Sequence, residues 1–220
     1  MTLDLATLVG LAGTLLAAAY TVPQFRRLRG MTTAAGISVA ALANSTISGV
    51  AWTVFGILEH ELWVALPAAV AVPATAGALA LAWLRGGSRN RLWLPVLWLV
   101  VVSAAGLSAL WLGPVVPTVV LGCSVALLVT PAALAAWQSH DVTAIAASAW
   151  ALLIIDALLA GAYGVLADID ANLIYAAVAT IGALAILLRI GLPAHVHARI
   201  VRVPDGIDPE ITCDELELAA

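Results

Sequence analysis

One acidic residue stands in the middle of a long apolar segment of this chain. Asp156 lies within the apolar range 152–158 and is the only ionisable residue deep inside any such segment. An aspartate at the centre of a bilayer costs about 2.5 to 3.5 kcal/mol on insertion scales, so its default interpretation is functional. We expect Asp156 to bind protons or to anchor a polar or cationic solute. The structural alternative is a protonated side chain bonded to a backbone carbonyl or to Asn44.

Polar and aromatic side chains recur at helical spacing in two segments. One stripe of the second apolar segment carries Ser45, Ser48, Trp52 and Phe55. The matching stripe of the sixth segment carries Ser148, Leu152, Asp156, Leu159 and Tyr163. Residues three and four apart share a helix face, so each stripe can line one wall of a pocket. The predicted solute-binding residues are Asn44, Ser48, Trp52, Asp156 and Tyr163.

Enzyme, metal and nucleic-acid chemistry is not indicated. The chain has no HExxH, P-loop or CxxC motif, and no second buried carboxylate for an aspartyl dyad. The histidines fall in predicted loops or in the tail: His60, His140, His195 and His197. No basic cluster suggests nucleic acid. We therefore expect no catalytic activity, no metal, no cofactor and no nucleic-acid partner.

The composition predicts an all-α integral membrane protein. Of the 220 residues, 63% are hydrophobic and only 10% are charged. A soluble domain has about a quarter of its residues charged. The apolar residues fall in runs of roughly 20, the length of a helix that crosses a bilayer. Seven transmembrane helices are predicted, at about 5–25, 34–58, 62–84, 92–112, 115–137, 143–166 and 172–190.

The basic residues predict an orientation in the cell membrane. All 9 are arginines, and with seven helices they lie on one side of the membrane: Arg26, Arg27, Arg29, Arg85, Arg89, Arg91, Arg189, Arg199 and Arg202. The opposite side carries Asp4, Glu59, Glu61, Asp168 and Asp170. The positive-inside rule then puts the N-terminus outside and the C-terminus in the cytoplasm.

The two halves of the chain match at an offset of 108 residues. Pro23 aligns with Pro131 and Gly56 with Gly164, each pair at an equivalent place in a predicted helix. The predicted organisation is a first three-helix repeat over 1–86, a linker helix within 87–113, a second three-helix repeat over 114–191 and a polar acidic tail over 192–220. A single linker helix gives both repeats the same orientation, so this is a 3+1+3 arrangement of two parallel bundles.

Several of these motifs resemble one transporter family. The motifs are Thr21-Val22-Pro23-Gln24, Gly36-Ile37-Ser38, Trp52-Thr53-Val54-Phe55-Gly56 and Ala162-Tyr163-Gly164. Together they resemble the PQ-loop and SWEET-like (MtN3/saliva) transporters, over nearly the whole chain up to residue 190. The resemblance implies that Pro23, Gln24 and Pro131 form hinges of a rocking motion, and that Ser48 and Trp52 line a central cavity. A proline also kinks a membrane helix statically, so both roles stay open.

The resemblance implies that the chain moves a small polar solute, with sugar as the leading expectation. Sugar-carrying members have an asparagine partway along the third and seventh helices. The matching stretches here, 67–69 and 175–177, contain none. A proton-coupled amino-acid or amine transporter that uses Asp156 is the first alternative, and a non-transporting receptor or assembly factor is the second. The expected partners are the solute and membrane lipid, with a homo-oligomer left open.

Overall fold

The structure is a computed structural model that describes residues 4–34, 38–87, 89–138, 147–193 and 196–197. Within these residues the secondary structure is α-helical, with no strand element. The helices are α1 (Leu5–Gly30), α2 (Val39–Leu58), α3 (Leu62–Leu84), α4 (Trp93–Leu112), α5 (Val115–Gly122), α6 (Ala126–Gln138), α7 (Ala147–Ala167) and α8 (Asp170–Gly191). The predicted tail falls outside the described residues apart from its first few positions.

The described helices are those of a multi-pass membrane protein. Six segments are long and apolar enough to cross a bilayer: α2, α3, α4, Val115–Leu134, α7 and α8. A shorter apolar helix, Leu5–Ala19, covers the first part of α1. Large apolar side chains face outward, including Leu110 at 74%, Trp111 at 78% and Val165 at 73% exposure. Hydrocarbon covers such a surface without the cost that water would impose.

The fifth predicted helix is interrupted, which corrects the expectation of one continuous helix over 115–137. The chain leaves α5 at Gly122 and enters α6 at Ala126, and the Ser124 N–H donates to Leu121 O at 2.9 Å, three residues back. Gly122 lies against α8, because a Cβ at this position would be 2.6 Å from the Ile174 Cβ. Glycine and serine together are a common cause of such breaks.

Two helical hairpins of the chain have the same backbone geometry 108 residues apart. The Glu61 N–H donates to Gly56 O at 2.7 Å, and the Ile169 N–H donates to Gly164 O at 2.9 Å. The residue before each donor adopts the left-handed conformation, at φ 59° and φ 58°: His60 and Asp168. Left-handed conformations are uncommon outside glycine, so their recurrence at this offset marks two equivalent turns.

The helices form two groups with matching contacts. In the first group α3 packs against both α1 and α2, and in the second α8 packs against α7 and against α5 and α6. Between the groups, α1 packs against α7, and α2 packs against α5. The remaining helix, α4, packs against α2 and α5. This arrangement leaves a space between the two groups, and the candidate site lies there.

Candidate functional site

A cavity of about 760 Å³ lies between the two helix groups. Its volume is within the range of small-molecule sites, which is about 300 to 1,000 Å³. Its wall contains all five residues that the sequence analysis predicts to bind a solute: Asn44, Ser48, Trp52, Asp156 and Tyr163. Helix periodicity therefore places these side chains around one space, although they come from α2 and α7, about 100 residues apart in the chain.

Asp156 is held by a tyrosine from the neighbouring helix. The Tyr175 hydroxyl in α8 donates to Asp156 Oδ2 at 2.7 Å. Tyr175 also lines the cavity, so the carboxylate is fixed by a side chain that itself faces the space. Tyr175 is not among the predicted site residues, because its contact with Asp156 depends on how α7 and α8 pack. In the structural alternative, a protonated Asp156 bonds to Asn44. The amide oxygen of Asn44 is instead buried without a hydrogen-bond partner in the described residues.

Trp52 joins the two helix groups across the cavity. Its Nε1–H donates to Ser124 Oγ at 3.3 Å, at the break between α5 and α6. Its indole also meets the Tyr175 ring edge to face, with centroids 6.0 Å apart and an interplanar angle of 81°. The Trp52 indole therefore contacts both Tyr175 in α8 and the break between α5 and α6. Ser124 was not predicted, because a break without proline leaves little signal in the sequence.

Ser48 is bonded from outside the cavity by the fourth helix. The Trp98 Nε1–H in α4 donates to Ser48 Oγ at 2.9 Å, and Trp98 is only 8% exposed. An indole N–H can only donate, so this contact uses an acceptor site of the serine and leaves its hydroxyl hydrogen for another partner. The Ser48 hydroxyl, which lines the cavity, can therefore donate to a solute.

Two buried amides add acceptors to the wall. Asn44 Oδ1 and Asn172 Oδ1 are buried and meet no hydrogen-bond donor within the described residues. The Asn172 Nδ2 donates to Ala160 O at 3.3 Å, which orients the amide. A buried acceptor without a donor costs about 1 to 3 kcal/mol. Both residues line the cavity, although these two oxygen atoms are themselves enclosed by protein atoms.

Tyr163 closes one end of the cavity. Its hydroxyl donates to Glu61 Oε2 at 2.6 Å, which connects α7 to the turn between α2 and α3. A core cluster surrounds this contact and draws on both helix groups: Phe55, Val64, Leu121, Tyr163 and Ala171. We call this the acidic end, because the chain carries Asp4, Glu59, Glu61, Asp168 and Asp170 there.

We call the opposite end of the cavity the arginine end, because Arg85, Arg89 and Arg91 lie there. The cavity reaches the exposed residues Asn90 and Arg91 in the connection between α3 and α4. Near this end each helix group has its own core, around Leu28 and Ala82 in the first and Ile186 in the second. In the described residues the two groups therefore share a core cluster at the acidic end, whereas each group has its own core near the arginine end.

The predicted hinge residues fall inside helices. Pro23 and Gln24 lie within α1, and Pro131 lies within α6. Their side chains are outside the described part of the structure, as are Gly36 and Ile37 of the second motif. The hinge role stays a prediction. Among the described residues, no three His, Cys, Asp or Glu side chains are grouped so that they could hold a metal ion.

Comparison with known proteins identifies no relative of this chain. No family model, no curated protein sequence and no solved structure matches it. Function is therefore inferred from the cavity and from the helices around it.

Proposed function

We propose that this protein is a transporter that moves a small polar solute through the central cavity by alternating access. The two moving parts are a first repeat of α1, α2 and α3 and a second repeat of α5 to α8, in which α5 and α6 act as one interrupted span. With α4 as the linker, this is the seven-helix 3+1+3 arrangement. The matching hairpins and the matching contacts within each group support it.

The observation that carries this proposal is a cavity in the apolar bundle that is lined in part by polar side chains and reaches exposed residues at the arginine end. A static core would pair its polar groups and exclude solvent. Here Asp156, Asn44 and Ser48 line a space of about 760 Å³. Broken helices next to a central site are typical of secondary transporters, and the break at Ser124 fits this pattern.

The cavity favours a solute that is rich in hydrogen-bond donors. The Asp156 carboxylate accepts hydrogen bonds, while Trp52 and Tyr175 offer aromatic surfaces. A sugar meets this description through its hydroxyls and remains the leading proposal, by resemblance to the SWEET-like family. By the positive-inside rule, the arginine end is proposed to face the cytoplasm, with the protein in the cell membrane.

The contact between Tyr175 and Asp156 favours a second candidate, a proton-coupled carrier of an amino acid or amine. A carboxylate at the cavity wall can bind an ammonium group or exchange a proton in each cycle. The Asp156→Asn variant separates the two candidates. Proton coupling requires that this change abolish the pH dependence of uptake, whereas a sugar facilitator keeps the same pH profile.

Uptake into liposomes of purified protein tests the proposal. A panel of labelled sugars, amino acids and amines is offered with and without a pH gradient. We expect uptake of at least one class of solute. Trp52→Ala should reduce this uptake roughly tenfold, a factor that corresponds to about 1.4 kcal/mol. The matched control is Trp111→Ala, because Trp111 is 78% exposed on the lipid side. No uptake of any solute would overturn transport and favour a receptor or assembly factor.

A further inference from the structure

A second, smaller cavity lies on the outer surface of the bundle. It is an open groove of about 500 Å³ between α2, α3 and the start of α4, and we call it the lateral groove. Every residue that lines it is apolar, including Val39, Leu79, Trp83, Leu84 and Leu92. It shares no lining residue with the central cavity. The lateral groove is therefore a separate feature that solute transport does not use.

The lateral groove faces the hydrocarbon of the membrane. Leu84 is 79% exposed and Trp83 is 44% exposed, and both lie in the last turn of α3, at the arginine end. Tryptophan favours the depth at which acyl chains meet headgroups. A molecule that occupies this groove thus has its apolar part along α2 and α3 and its polar part at the membrane interface.

A cation lies at the mouth of the lateral groove. The Arg89 guanidinium sits over the Trp83 ring at 4.4 Å from its centroid, and its Nη2 donates to Trp83 O at 3.0 Å. A guanidinium has five N–H donors, so this one hydrogen bond leaves others for an oxyanion. Arg89 is exposed, and the groove residue Leu92 is the N-cap of α4, where no side chain caps the helix. The positive end of the α4 dipole adds to the same charge.

We propose that the lateral groove binds an anionic phospholipid, with one acyl chain in the groove and the phosphate on Arg89. Charge complementarity selects this occupant, because a zwitterionic lipid fills the same apolar groove but brings a cationic group to the arginine. The cytoplasmic leaflet is rich in anionic lipid, which attracts arginines near its surface. The site does not depend on what the central cavity carries.

Native mass spectrometry of the purified protein tests this site. The protein is equilibrated in detergent with equal amounts of phosphatidylglycerol and phosphatidylcholine of the same acyl chains, and the lipids retained are counted. We expect a preference for phosphatidylglycerol that Arg89→Gln reduces roughly fivefold, the factor expected for one arginine. The matched control is Arg29→Gln, which removes an exposed arginine at the end of α1 and should leave the preference unchanged.

A second variant tests the apolar half of the site. Ala80 lines the lateral groove on an exposed face of α3, so Ala80→Phe fills the groove without entering the core. We expect it to lower retention of both lipids and to spare uptake by the central cavity. Equal retention of the two lipids by the unchanged protein would overturn the proposal. So would equal losses in the Arg89 and Arg29 variants, because the attraction would then come from the whole basic surface.

Discussion

The Tyr175 hydroxyl lies 2.7 Å from the Asp156 carboxylate, and both side chains line the central cavity. The two residues come from adjacent antiparallel helices, α7 and α8, which pack along their length. The only ionisable residue deep in a predicted span is therefore oriented by a second cavity residue. Its carboxylate keeps a second oxygen for a solute or a proton.

This pair predicts coupled effects on transport. Tyr175→Phe removes the hydroxyl and keeps the ring that packs against Trp52. Hydrogen bonds to charged groups are worth about 1.5 to 3 kcal/mol, so we expect uptake to fall roughly tenfold. Asp156→Asn should cause a comparable or larger loss, and the double variant should lose little more than the larger single loss. Strict additivity of the two losses in uptake rate would show that the residues act independently.

The acidic end should open when the bond between Tyr163 and Glu61 is removed. Tyr163→Phe deletes the hydroxyl that donates at 2.6 Å, and this weakens the contact between the two helix groups. Loss of one such bond costs about 1 to 3 kcal/mol, which shifts a two-state population roughly fivefold or more. The measurement is labelling of an Ala160→Cys variant, with Cys123 and Cys213 replaced, by a maleimide that does not cross membranes.

We expect faster labelling of this cysteine from the acidic side in the Tyr163→Phe variant. Labelling from the arginine side serves as the internal control and should slow or stay unchanged. The double variant Tyr163→Phe with Glu61→Ala should behave like either single variant, because each change alone removes the bond. Unchanged labelling from both sides would show that the hydroxyl does not hold the acidic end closed.

The equivalent turns predict unequal tolerance of glycine substitution. At Gly56 a Cβ would lie 2.5 Å from the Ala65 backbone nitrogen, which cannot move without shifting α3. At Gly164 the nearest atoms are 3.0 Å away. Overpacking costs about 1 to 3 kcal/mol, so Gly56→Ala should destabilise the protein more than Gly164→Ala.

Thermal unfolding in detergent measures this difference in stability. In a chain of this size, each kcal/mol shifts the unfolding temperature by about 2 to 4 °C. Gly106 in α4 is the control, because a Cβ there meets nothing within 4 Å. Gly106→Ala should leave the unfolding temperature unchanged or raise it through better helix propensity. An equal drop in all three variants would contradict the close packing of α2 on α3.

The N-cap residue of α1, Asp4, predicts a pH effect on the stability of the fold. Asp4 Oδ1 accepts from the Thr7 N–H at 2.8 Å and caps α1. Hydrogen bonding from the Thr7 side chain, and then from its backbone N–H, lowers the pKa of Asp4 below its ordinary value of 3.8. A lowered folded-state pKa stabilises the fold above the unfolded pKa, and this stabilisation is lost as the pH falls through the folded value. We expect the unfolding temperature to drop in that acidic range, and Asp4→Asn to flatten the drop. A profile identical to that of the unchanged protein would contradict this contribution.

Length and hydropathy alone predicted the membrane class and six of the long apolar helices, and helical periodicity put four cavity residues on two stripes: Ser48, Trp52, Asp156 and Tyr163. These are local properties, since a bilayer selects runs of about 20 apolar residues and a helix repeats every 3.6 residues. The offset between Gly56 and Gly164 is also a local match, and both glycines lie in the equivalent turns.

Tertiary packing alone decided which side chains meet. Trp98 contacts Ser48 from 50 residues away, and Tyr163 contacts Glu61 from 102 residues away. No local pattern specifies such pairs, because they depend on how α4 and α7 lie against α2 and α3. The break at Ser124 has the same origin: Gly122 approaches α8 closely, and the chain there bonds three residues back. The sequence placed a carboxylate in the membrane, and the packing supplied Tyr175 as its partner.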